Sequence, residues 1–202
     1  MIGNHELKNG SEPNGRGGNG ENNFRQVFVD KLPGIGQSYF SFDYLNSHFI
    51  VLDTAWQTGT GPKEAELKPG TRQWKWLTKD LAGARLRSQH IFIFGHKPPL
   101  SPFHSGGPDT ISNISSTYGS SWKDPKAAAE FIRLTSDYKV DAVFSGHIHM
   151  YNRLNVRGVS YFIAAGAGAS LYAPPEKGGY YHYLRCHVEG KKVSFEVVKL
   201  ST

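Results

Sequence analysis

Two apolar runs constrain this chain more than any other feature. "QHIFIFGHKPP" begins at residue 89 and "VDAVFSGHIHMY" at residue 140, and both run into Gly-His. Short, continuous apolar runs suit strands buried on both faces of a central sheet. In open α/β sheets, ligands bind off the carboxyl ends of such strands. A glycine there drops its side chain and lets the backbone turn, so the next residue is thrust into the crevice. Here that residue is a histidine twice, His96 and His147. His149 lies two positions beyond His147, and in extended chain both point to one side. Three imidazoles in one pocket suit Zn, Fe, Ni or Cu, whereas harder ions such as Mn or Mg usually want carboxylates. A lone histidine after a strand is ordinarily a hydrogen-bonded core or surface residue. The recurrence at two strand ends, with a Gly-Asn-His at residues 3–5, points instead to a metal centre.

The elements around these runs fix the class. "QSYFSFDYLNSHFIVLDT" reads as a hairpin turning at Asn46-Ser47. "GTRQWKWLTKDLAGAR" reads as an amphipathic helix with Trp74, Leu77 and Leu81 at helical spacing, and Trp74 and Trp76 as packing residues. "DPKAAAEFIRLTSDYK" reads as a helix with Asp124 as N-cap and Pro125 at its first position. "FRQVFVDKL" suggests a short helix, and "VSYFIAAGAGAS" a strand with a glycine-rich turn. "YYHYLRCHVEGKKVSFEVVKL" closes the chain as a hairpin turning at Glu189-Gly190. Strand and helix alternate in the middle with hairpins beside them, the pattern of helices packed on a mixed α/β sheet. Residues 8–23 are almost entirely Gly, Asn, Glu, Ser and Lys, a flexible loop. Residues 98–123 form a second long loop, which at that length is expected to be functional.

Composition narrows the partners. At 202 residues the chain is one domain with room for a core. No apolar run approaches the roughly 20 residues of a membrane span, and no signal peptide is visible. The net charge of +6 comes from scattered Lys and Arg, without the basic stripe of a nucleic-acid surface. That charge reads first as an ordinary solvated surface, with a field that draws anionic ligands such as phosphates as the alternative. The single cysteine, Cys186, excludes an internal disulfide and reads as a buried thiol. Compartment stays open.

"GNHE" at residues 3–6, "GHKP" at 95–98 and "GHIH" at 146–149, in this order and spacing, resemble the last three motif blocks of the calcineurin-like metallophosphoesterases. "FIVLDT" after a hairpin and "HMYNR" after the last block are similar to the purple-acid-phosphatase-related members. The resemblance covers essentially all of the chain after Gly3. It implies a four-layer α/β/β/α sandwich of two mixed sheets and hydrolysis of phosphate mono- or diesters. It implies Asn4, His96 and His147 as ligands of one metal and His149 as a ligand of another. His5 matches the histidine that meets substrate phosphate and is often assigned as proton donor to the leaving oxygen. The ion expected is a transition metal, Zn, Mn, Fe or Ni, which polarises phosphoryl oxygens and supplies a hydroxide for in-line attack.

The family's first two blocks, an Asp-x-His and a Gly-Asp-x-x-Asp, have no counterpart ahead of Gly3. The expectation is an N-terminally truncated domain with an incomplete dinuclear site and one weak metal position. Three readings follow: a shortened phosphoesterase, a scaffold or binding protein that kept the fold, or a fragment of a longer enzyme. Asp53 reads as structural rather than as a ligand, His104 as a substrate contact, and Tyr151 and Arg153 as cleft-lining candidates. Missing strands leave bare apolar surface, so the chain is expected to form a homo-oligomer.

Overall fold

The computed structural model describes residues 1–5, 24, 26, 27, 38–55, 67–102 and 122–201. The 8–23 loop, most of the helix expected at 24–32, and most of the 98–123 loop with His104 lie outside the described residues.

The alternating segment at 38–55 forms the expected hairpin. Strand β1 (Phe40–Tyr44) pairs antiparallel with β2 (Ser47–Val51). Its turn falls one residue earlier than expected, on Leu45-Asn46, and Leu45 takes a positive φ of 52°. The first Gly-His run supplies β3 (His90–Gly95), which pairs parallel with β2. The second supplies β4 (Ala142–Ser145), parallel to β3. It stops just before Gly146-His147, where the sequence placed its end. The chain leaves the sheet at Gly146 and returns as β5 (Tyr151–Val156), which pairs antiparallel with β6 (Val159–Ala164). Strand β6 in turn runs parallel beside β4. The order β1-β2-β3-β4-β6-β5 is a mixed six-stranded sheet with its antiparallel strands at the edges.

Alternation along these strands sorts side chains to two faces. One face carries Ile50, Ile91, Ile93, Val143 and Tyr161, all buried against two helices. Helix α1 (Arg72–Arg87) turns Leu77, Leu81 and Ala84 to this core, spaced as one helical stripe, with Trp74 and Trp76 packed at its margin. Helix α2 (Pro125–Asp137) begins as expected: Asp124 accepts hydrogen bonds from the backbone N–H of Lys126 and Ala127, and Pro125 follows it. Phe131 and Ile132 fill its apolar face. Arg85 holds the far ends of both helices, its guanidinium donating to the carbonyls of Tyr138, Lys139, Ser88 and Gln89. At the other end of α1, Gln73 forms a paired hydrogen bond with the backbone of Asp53, just beyond β2.

The opposite face is an aromatic ladder. Phe42 stacks on Phe49 at 5.1 Å, Phe49 meets Phe92 at 5.5 Å, and Phe144 stacks on both Phe94 and Phe162. Each such pair contributes about 1 kcal/mol beyond its burial. The C-terminal hairpin, β7 (His182–Glu189) and β8 (Lys192–Lys199), lies over the β4–β6 half as a separate two-stranded sheet. Phe195 sits 4.9 Å from Phe162 and 5.9 Å from Phe144. The hairpin's tip is tied back by His90 and Asn46, which both donate to the Gly190 carbonyl at 2.8 and 2.9 Å. A two-stranded sheet is marginal alone, so this packing and tether hold it. Among the described residues, the β1–β3 half of the ladder carries no covering strand. A cleft of about 450 Å³ remains there, lined by Phe49, Phe92, Phe94, Phe144 and the inward residues of β7. Cys186 belongs to this lining and is exposed, not the buried thiol that its alternating strand suggested. The layers described are therefore helices, a mixed sheet and a second sheet, the α/β architecture expected.

Candidate metal centre

Register builds the site. Gly95 pairs with Ser145, so β3 and β4 end level with one another and release His96 and His147 side by side. The Gly146 N–H donates to the His96 carbonyl at 2.9 Å, fastening the two exits together. Gly95 packs closely: a Cβ there would sit 3.1 Å from both the methyl and the hydroxyl of Thr54, which would have to give by a few tenths of an ångström. The sharp turn itself does not fall on glycine. His147 takes a positive φ of 67°, and the Ile148 N–H closes back on the Gly146 carbonyl at 2.8 Å. A tight turn of this kind around a non-glycine residue is strained by roughly 1–3 kcal/mol. Strain of that kind concentrates where a side chain must be aimed.

The two rings meet edge to face with centroids 5.0 Å apart. The N-terminal segment closes the group. Ile2 is fully buried, and two residues on Asn4 presents its amide oxygen to both rings. Asn4 Oδ1 lies 2.6 Å from His96 Nε2 and 3.0 Å from His147 Nδ1, and the two nitrogens are 3.2 Å apart. Ligands at right angles about an ion, each about 2.1 Å from it, are about 3 Å from one another. The triangle thus has the size of one face of a coordination shell, and its atoms can all offer lone pairs. Burial, then the nearby charges of His96, Lys97, His149 and His5, push the His147 pKa down to about 3. Its ring is therefore neutral, the form that binds metal. The donors fit an imidazole-preferring ion such as Zn. Among the described residues, no group of three His, Cys, Asp or Glu converges; the set here is two imidazoles and an amide.

The other candidates fall as follows. His149 stands apart from the triangle. Its Nδ1 donates to the Ser170 carbonyl at 2.8 Å, and its ring stacks on Tyr172 at 4.2 Å. That bond puts the proton on Nδ1 and leaves Nε2 with its lone pair. His5 is exposed beside Asn4, near enough for its charge to act on His147. Asp53 is buried and held by the Ser38 hydroxyl at 2.7 Å and the Ala55 N–H, so it is structural as expected. Arg153 does not line this cleft: its guanidinium lies over the Phe162 and Phe195 rings between the two sheets. Tyr151 sits among Tyr180 and His182.

Lys97 was not anticipated from sequence. It is only 4% exposed, its pKa lowered by burial and by the charge of Lys123. Its N–H donates to Thr54 Oγ1 and its carbonyl accepts from the Trp122 indole. Lys97 thus follows His96 directly in the chain, and its charge acts on His147. Ser170 and Tyr172 were also missed; the only sequence signal was the glycine-rich turn that carries them.

Comparison with known proteins supplies the family and the fold. Residues 1–151 match the family described as calcineurin-like phosphoesterase. An acid phosphatase of Aspergillus ficuum is 29% identical over 160 residues, covering 63% of this chain and 24% of its own length. The chain therefore spans about a quarter of that relative. Among solved structures, the purple acid phosphatase PPD1 from yellow lupin (Lupinus luteus) seeds has a TM-score of 0.60 at 19% identity, over 83% of this chain and 31% of its own. GAP50, the anchor in the inner membrane complex of Plasmodium, has 0.55 at 16%, over 80% and 49%. A dimetal phosphatase from Danio rerio has 0.52 at 13%, over 96% and 67%. These structures establish the shared fold.

Proposed function

Because the chain belongs to the calcineurin-like phosphoesterase family, we propose that it hydrolyses phosphate esters at a metal held by Asn4, His96 and His147. The observation that carries this reading is the 2.6–3.2 Å triangle of their donor atoms. A bound ion of this kind supplies Lewis acidity toward phosphoryl oxygens and a hydroxide at neutral pH. The protein's own groups do the rest. His147 is held neutral by burial, and Lys97 adds positive potential that draws an anionic ester. His5, exposed beside Asn4, is the proton donor to the leaving oxygen in this reading. His149, with its proton on Nδ1, offers the Nε2 lone pair as a ligand for a second ion.

The test is hydrolysis of p-nitrophenyl phosphate with Zn, Mn, Fe or Ni added in turn. Turnover should require metal, stop with chelator, and fall at least 100-fold in His147→Ala and His96→Ala. Turnover indifferent to chelator and to both substitutions refutes the proposal. A second reading, a fold kept for binding, is favoured by the donor set itself, which brings no negative charge to offset a dication. It predicts phosphate binding without turnover. We also propose self-association through the uncovered phenylalanine face; sedimentation showing only monomer at micromolar concentration removes that part.

A further inference from the structure

We propose that the segment 165–179 is a clamp that positions His149, with Tyr172 as its decisive side chain. The role rests on the phosphoesterase reading, in which His149 faces the reacting group. The need for a clamp is local. Residues 146–150 lie outside the strands, so no ladder sets the direction of the His149 ring. The Met150 N–H merely closes on the Ile148 carbonyl at 2.7 Å.

The segment supplies what the sheet does not. Its backbone grips the His149–Tyr151 backbone at three points. Ala165 N–H donates to the Met150 carbonyl at 3.2 Å and Tyr172 N–H to the His149 carbonyl at 3.0 Å. Tyr151 N–H donates to the Gly178 carbonyl at 2.8 Å. The ring is then fixed in two ways. The Ser170 carbonyl accepts its Nδ1–H, which sets the tautomer. The Tyr172 ring lies on its face at 4.2 Å and 28°, which sets the rotamer. Tyr172 is 44% exposed, so its ring is not explained as core packing. Its place against His149 is.

Three glycines let the segment close. A Cβ on Gly179 would overlap the Ala173 carbonyl oxygen, one on Gly178 the Tyr151 carbonyl oxygen, and one on Gly166 the His182 ring. Gly178 also has a φ of 95°, a conformation that other residues reach only with strain. Tyr172 is thus a positioning residue, and Gly179 a remote control on the same ring.

The experiment compares Tyr172→Phe, Tyr172→Ala and Gly179→Ala. Histidine tautomers are read by long-range ¹H–¹⁵N spectra of the metal-free protein, Zn²⁺ affinity by titration, and fold by circular dichroism. The starting protein and Tyr172→Phe should both show His149 protonated on Nδ1 alone. Tyr172→Ala and Gly179→Ala free the His149 rotamer from the Ser170 carbonyl, so they should lose that signature with the fold intact and bind a second Zn²⁺ 10–100-fold more weakly. If Gly179→Ala does not fold, Tyr172→Ala decides alone. A Tyr172→Ala protein that keeps both the Nδ1 tautomer and the Zn²⁺ affinity overturns the clamp. A tautomer that changes as expected, in a protein that binds no Zn²⁺ in any form, sustains the clamp and removes the metal reading instead.

Discussion

The sharpest stability prediction concerns His48, a histidine outside the metal centre. It is 1% exposed on β2, with Nδ1 2.5 Å from Asp43 Oδ1 on β1 and Nε2 2.8 Å from Asp80 Oδ2 on α1. Ionised carboxylates only accept, so the ring carries both protons. Arg87 approaches the same nitrogen at 3.3 Å and bonds Asp43, while Ser41 donates to Asp80. Burial opposes the charge on His48, but the hydrogen bonds and attraction of Asp80 and Asp43 outweigh it and raise the pKa above 6.5. From pH 6.5 up to the folded-state pKa, the native protein therefore holds one proton that the unfolded chain has released. Stability must fall as pH rises across that window, by up to about 1.4 kcal/mol per pH unit. Below pH 6.5 both states are protonated and the contribution is complete. His147, neutral in the folded protein, takes up a proton near pH 6.5 only when unfolded; that contribution is common to both proteins and cancels in their difference. The assay is urea unfolding followed by tryptophan fluorescence at several pH values from 6 to 8.5, in the original protein and in His48→Gln. The difference in unfolding free energy should shrink as pH rises. Asp80→Asn should cost roughly 3 kcal/mol at pH 6, since it leaves a buried cation with one charged partner in place of two. A difference that is flat or grows with pH refutes the doubly bonded imidazolium.

Other outcomes are more local. Tyr161→Phe removes the buried 2.6 Å bond to Thr135, whose hydroxyl keeps the Phe131 and Ile132 carbonyls; it should cost about 1 kcal/mol by thermal denaturation. Asp124→Ala strips the α2 cap and should cost about 1 kcal/mol, with Asp124→Asn nearly neutral. Leu81→Ala, at a fully buried contact between α1 and the sheet, should cost about 3 kcal/mol in urea unfolding.

What the sequence disclosed depended on how far each signal reaches. The two Gly-His runs name their own ends, so β3, β4 and the pairing of His96 with His147 were legible. Asp124-Pro125 announces α2 because a cap is a contact within four residues. The purely local signals failed where a third element intervened. "YNRLNV" carries too little apolar alternation to declare itself, and becomes β5 because β6 offers an edge. Leu45 has no preference for a positive φ, yet the β1–β2 register puts it in the turn. His48 looked like an ordinary strand residue, since its carboxylates lie 5 and 32 positions away. The strained turn at His147 was hidden for a related reason: the neighbouring glycine seemed the natural place for it. Tyr172 was invisible, because only the folded segment brings it to a ring 23 positions earlier.

The level ending of β3 and β4 has a consequence for how this protein can change. Phe92 pairs with Ala142 and Ile93 with Val143, and a one-residue slip would turn every side chain of a strand to the opposite face of the sheet, so the ladder has a preferred phase. One step of slippage would carry a donor about 3.3 Å along the strand, more than the gap between any two corners of the triangle. The sheet interior therefore works as a gauge block for the amide and imidazoles at its rim, and drift in that interior would be read out as lost ion affinity before any rim residue had altered.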